Sequence, residues 1–104
     1  MNIYIGRENK TIFNLFQNGE VVTADSIVRA VFRFGDFCID TSVTGDPIEL
    51  IENATKVQMQ AGLIPDLAEG SFEGKLTIFD TLSESGLAWG KAVKIKVLNW
   101  QVCE

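Results

Sequence analysis

Apolar side chains fall at every second position along most of this chain, and that spacing constrains what it can fold into. A period of two puts successive side chains on opposite faces of a strand, whereas a helix would need a period near 3.6. Ser26 to Phe34 is the clearest instance. Val28, Ala30, Phe32 and Phe34 point one way and Ile27, Arg29, Val31 and Arg33 the other, which predicts one core face and one mostly wet face. Gly35-Asp36 then signals a hairpin, and Phe37, Ile39 and Thr41 alternate against Cys38 and Asp40 in a returning strand.

The same reading extends along the chain. Asn2 to Ile5 is a short first strand. Lys10 to Gln17 is a second, with Phe13 and Leu15 on one face, Ile12 and Phe16 on the other, and a turn at Asn18-Gly19. Thr44-Gly45-Asp46-Pro47 interrupts pairing. Ile48 to Glu52, with Ile48 and Leu50 inward, and Thr55 to Gln60, with Val57 and Met59 inward, follow as shorter strands around a turn at Asn53-Ala54. The helix formers between Ala54 and Ala61 offer a helix as the competing reading. Ala61 to Gly70 is a loop. Ser71 to Phe79 places Phe72, Gly74, Leu76 and Ile78 inward and Glu73, Lys75, Thr77 and Phe79 outward. Asp80 to Gly86 is a loop whose return Leu87 and Trp89 anchor. Lys91 to Leu98 is the last long strand, with Val93, Ile95 and Val97 inward, and Trp100 and Val102 extend the pattern. The expectation is an all-β, antiparallel sandwich of seven to eight strands. It forms one domain over residues 1–104, because a second core would leave each half too small.

Charge and composition narrow the partners. Nine basic residues stand against fourteen acidic ones, a net charge of −5, which argues against a phosphate-tracking surface and so against nucleic acid. Lys91, Lys94 and Lys96 form the one basic stretch, read as the solvated face and edge of a strand. No stretch approaches the roughly 20 apolar residues that span a bilayer, so no membrane is expected. Cys38 and Cys103 are too few for a disulfide framework and are expected to be reduced, partly buried thiols.

The chain contains no histidine. His is the usual general base at neutral pH and a common transition-metal ligand, so Ser-His-Asp, Cys-His and His-rich zinc arrangements are excluded. Two cysteines alone do not make a tetrahedral zinc site. Carboxylate pairs are available at Asp36 with Asp40, Glu69 with Glu73, and Asp80 with Glu84, the last a possible calcium loop. None has a recognisable ligand spacing. Gly62, Gly70, Gly74, Gly86 and Gly90 lie too far apart to cradle a phosphate and read as turn and bulge glycines. The expectation is a protein with no catalytic residues, cofactor or metal.

Most aromatic residues have core parity. Phe16, Phe79 and Trp100 do not, and large apolar groups outside a sandwich commonly mark a partner interface. These three are the candidate interface residues.

Three stretches carry a resemblance: Thr11-Ile12-Phe13-Asn14-Leu15-Phe16-Gln17-Asn18-Gly19, Asp25-Ser26-Ile27-Val28-Arg29-Ala30-Val31-Phe32-Arg33-Phe34, and Glu69-Gly70-Ser71-Phe72-Glu73-Gly74-Lys75-Leu76-Thr77-Ile78. The layout resembles the immunoglobulin-like modules of tailed-phage virion proteins, such as the amino-terminal domain of upper baseplate proteins. That resemblance implies an immunoglobulin-like sandwich and a non-enzymatic structural subunit. Such a subunit would be assembled in the host cytoplasm, reside in the virion, and associate with itself as a homo-oligomer or with other virion chains. The chain stops where larger members continue, so a fibre or receptor-binding role is not implied. The alternative from a different class is a carbohydrate-binding sandwich with Trp89 or Trp100 as a stacking platform.

Overall fold

The computed structural model describes residues 1–17, 20–21, 27–52, 56–80 and 85–100, the side chains of residues 16, 17, 20, 21, 80 and 90 excepted. Among these residues the chain is all-β, with ten strands where seven or eight were expected. They are β1 (Asn2–Ile5), β2 (Thr11–Asn14), β3 (Phe16–Gln17), β4 (Glu20–Val21), β5 (Ile27–Phe34), β6 (Phe37–Asp40), β7 (Ile48–Ile51), β8 (Lys56–Met59), β9 (Gly70–Asp80) and β10 (Leu87–Asn99). The expected second strand is divided at Leu15, which is fully buried, so β2 and β3 belong to different sheets. A strand occupies the region where a helix competed, because Val57 and Met59 at alternate positions both reach the core. A single 3₁₀ turn, Ala61–Leu63, follows it.

The large sheet has the order β1-β10-β9-β5-β6, the smaller one β2-β8-β7, and β3 with β4 make a two-stranded ribbon. All pairs are antiparallel except one: β1 runs parallel to β10, with Tyr4 beside Leu98. The antiparallel expectation is corrected there. Hairpin alternation specifies faces, not the sense in which the two ends of a chain meet.

Buried apolar side chains from both larger sheets form one cluster, with Phe32, Leu15, Val57, Ile78 and Val97 wholly enclosed. Each fully buried side chain of this size contributes roughly 1.5–3 kcal/mol. Phe13 of the small sheet stacks on Phe32 of the large one at 5.7 Å, which places the core between the two sheets. Gly74 is small for the same reason. A Cβ there would lie 2.4 Å from Ile95 Cδ1 and 2.5 Å from Phe32 Cζ.

Two irregularities reset the alternation. The β5–β9 register shifts between Ile27 and Arg29, so Ile27 is buried and Val28 is exposed, the reverse of the sequence expectation. A bulge adds a residue to one strand and moves the flanking side chains to the other face. In β10, Trp89 lies beside Leu76 and Val93 beside Gly74, so residues 90–92 face Lys75 alone. The inward parity of Val93, Ile95 and Val97 is kept, and β10 starts four residues before the expected strand.

Candidate functional site

The flank of β10 that faces away from β9 is paired over only part of its length. Strand β1 covers Lys96 to Asn99, and the amino terminus adds two bonds, with Met1 N donating to Lys94 O at 2.9 Å and Lys96 N donating to Met1 O at 2.9 Å. Beyond that point Leu87 to Val93 has no strand beside it among the described residues. Lys91, Lys94 and Lys96, half of the six lysines in the chain, project from this strand and are exposed. A cleft of about 310 Å³ opens at the bulge, lined by Lys75, Thr77, Trp89, Lys91 and Ala92 among others. An edge with no neighbouring strand among the described residues, an exposed Lys91 and a recess over the β9–β10 bulge thus lie on one stretch of β10.

The opposite edge of the sheet is β6, whose end at Asp40 is capped by side chains. Asp40 is buried, and its carboxylate accepts from Arg29 Nε at 3.0 Å, Ser42 N at 2.9 Å and Ser42 Oγ at 2.8 Å. Its own N–H donates to Asp46 Oδ2 at 3.0 Å, and Thr41 bonds back to Ala30 through both N–H and Oγ1. The Arg29 bond, assisted by the Ser42 donors, holds the Asp40 carboxyl well below the usual carboxylate range against the opposing effect of burial. Asp40 raises the pKa of Arg29 in turn, chiefly through the same hydrogen bond.

The three candidate interface residues do not form one patch. Phe79 lies beside Arg29 in register, and the guanidinium sits 4.7 Å from its ring centroid, so this outward ring has a cation of its own chain over it. Trp100 follows the far end of β10. Val97 is opposite Gly70, nine residues of β9 from Phe79, so the two aromatics are separated by roughly 30 Å of strand or more. Phe16 is in β3, opposite Val21, and its side chain is outside the described residues.

Trp100 is 57% exposed and meets Tyr4 edge-on at 5.3 Å. With Arg7 and Asn9 they line a cleft of about 380 Å³. The Nε of Arg7 is buried without a hydrogen-bond partner among the described residues. A buried donor left unsatisfied costs about 1–3 kcal/mol. Sequence reading missed Arg7 and Asn9, because only the parallel pairing of the two chain ends brings residues 4–9 to residue 100.

Asp40 is engaged by Arg29, Asp36 lies in the turn after Gly35, and residue 84 and the Asp80 side chain are outside the described residues. Among the described residues no group of three or more His, Cys, Asp or Glu could hold a metal ion. Cys38 is free and exposed, which corrects the expected partial burial, while Cys103 is outside the described residues. The chain matches no protein-family model, no curated protein and no solved structure.

Proposed function

We propose that the chain is a non-enzymatic, immunoglobulin-like structural subunit that assembles, with copies of itself and with other virion chains, by adding a strand to the open edge of β10. The observation that carries this reading is the stretch Leu87–Val93, which has no strand beside it among the described residues and carries the exposed Lys91, with Lys94 next to it. An exposed strand edge offers a row of N–H and C=O groups to an incoming strand, and side-chain recesses beside it supply selectivity. The lysines disfavour a second basic edge and favour an acidic one.

Such an edge exists on the same chain. Strand β7 borders the small sheet and carries the exposed Glu49, with Asp46 just before it. A β10-to-β7 contact between copies joins two different surfaces, so it propagates head to tail into a ring or filament. The immunoglobulin-like part of the reading is supported by strand order. In immunoglobulin lettering, β6-β5-β9-β10 corresponds to C′-C-F-G and β2-β8-β7 to B-E-D, with the first strand moved to the G edge. The phage assignment rests on the sequence resemblance.

Sedimentation velocity from micromolar to millimolar chain tests the assembly. A defined oligomer should grow with concentration, weaken with added salt, and disappear in the Lys91→Glu/Lys94→Glu variant with its thermal melt unchanged. A chain that stays monomeric throughout, or an oligomer indifferent to both lysines, overturns the reading.

A further inference from the structure

We propose that the cleft between Tyr4, Arg7, Asn9 and Trp100 is a binding site for an acidic sugar, separate from the β10 edge. In this site the carboxylate is held by Arg7, the ring lies against Trp100, and hydroxyls bond to Asn9. The cleft lies beyond the end of β10 that β1 covers, so occupancy of one site leaves the other free.

The cleft is rigidly built. Arg7 N donates to Tyr4 O at 3.1 Å and Gly6 N to Gly62 O at 2.8 Å, with Gly6 in the left-handed region at φ 74°. Gly62 packs so closely that a Cβ would lie 2.2 Å from Tyr4 O and 2.5 Å from Arg7 O. The 3₁₀ turn therefore clamps the segment that presents Arg7, and a ligand meets groups already in place, which lowers the ordering cost of binding.

The residues specify the ligand's chemistry. Arg7 forms no ion pair among the described residues, and its enclosed Nε lacks an acceptor. A guanidinium presents a planar fork that matches an oxyanion and prefers it to a neutral acceptor. Trp100 presents an exposed aromatic surface, and Asn9 carries an amide that both donates and accepts. At about 380 Å³ the space falls near the lower end of the roughly 300–1,000 Å³ of small-ligand clefts, which suits one sugar ring.

The test is a titration of the ¹⁵N-labelled chain, following the indole N–H signals of Trp89 and Trp100 separately. Sodium glucuronate should shift Trp100 saturably and leave Trp89 in place. At matched ionic strength, glucose should bind roughly tenfold more weakly or worse. Arg7→Gln should remove the preference for the acid, and Arg7→Lys should retain part of it, each variant being checked for an unchanged fold by its thermal melt. Equal response to glucose and glucuronate, no response at all, or a preference that survives Arg7→Gln overturns the proposal. A stronger Trp100 shift with an acetylated dipeptide than with glucuronate overturns the sugar assignment.

Discussion

The two edges of the large sheet are finished by different means. At β6 the outer N–H of Asp40 is met by Asp46, and the carboxylate of Asp40 is surrounded by Arg29 and Ser42. At β10 the amino-terminal strand covers Lys96 to Asn99 and leaves Leu87 to Val93 bordered by lysines. Side chains cap the end of one edge, and charge borders the other. Charge discourages indiscriminate pairing while leaving the backbone groups available, which is why function is assigned to the β10 side.

The seam between the two edges is where a substitution should cost most. Gly74 lies on β9, opposite Val93 on one side and Phe34 on the other, and an added methyl meets the enclosed Phe32 and Ile95 side chains. Gly74→Ala should lower unfolding free energy by roughly 1–3 kcal/mol in a urea titration. A neutral result would mean that the sheet breathes more than this packing allows.

At the β6 edge, Asp40→Asn removes the charge that Arg29 and Ser42 satisfy and should cost about 1–2 kcal/mol at neutral pH. The sign with pH follows from the lowered pKa of Asp40 in the folded chain. Its contribution is present above the unfolded carboxyl value of about 4 and is lost as pH falls below it. Thermal melts from pH 7 to pH 2 should therefore show wild type and Asp40→Asn converging in acid. Parallel curves would show that this edge is held by something other than Asp40.

The open edge should be nearly silent in stability. Lys91→Gln should change unfolding free energy by no more than about 0.5 kcal/mol, because Lys91 is exposed and forms no ion pair among the described residues. A larger loss would give Lys91 a structural duty and weaken the contrast between the edges.

Much of the interior was legible from alternation. Phe72, Gly74, Leu76 and Ile78 in β9, and Val93, Ile95 and Val97 in β10, all face inward as their parity requires. Parity failed at Val28, where a register shift exposes the residue expected inside and buries Ile27. The Asp40 cap and the Arg7 cleft were not legible, for a different reason. Arg29 and Asp40 meet across a hairpin, and Tyr4 meets Trp100 only because the first and last strands run parallel. Periodicity reports which face a side chain takes, whereas these sites depend on which strands become neighbours. The basic stretch at Lys91 to Lys96 was visible as a solvated edge, but that the amino-terminal strand pairs beside Lys96 and stops short of Lys91 was not.

Amide hydrogen exchange along β10, measured at low and at high chain concentration, tests the open edge most directly. Outward-facing amides between Leu87 and Val93 should exchange rapidly in the dilute monomer and become protected as the oligomer forms, while those bonded to β9 stay slow in both. Protection of the same amides in the dilute monomer, or none gained in the oligomer, would contradict docking at this edge.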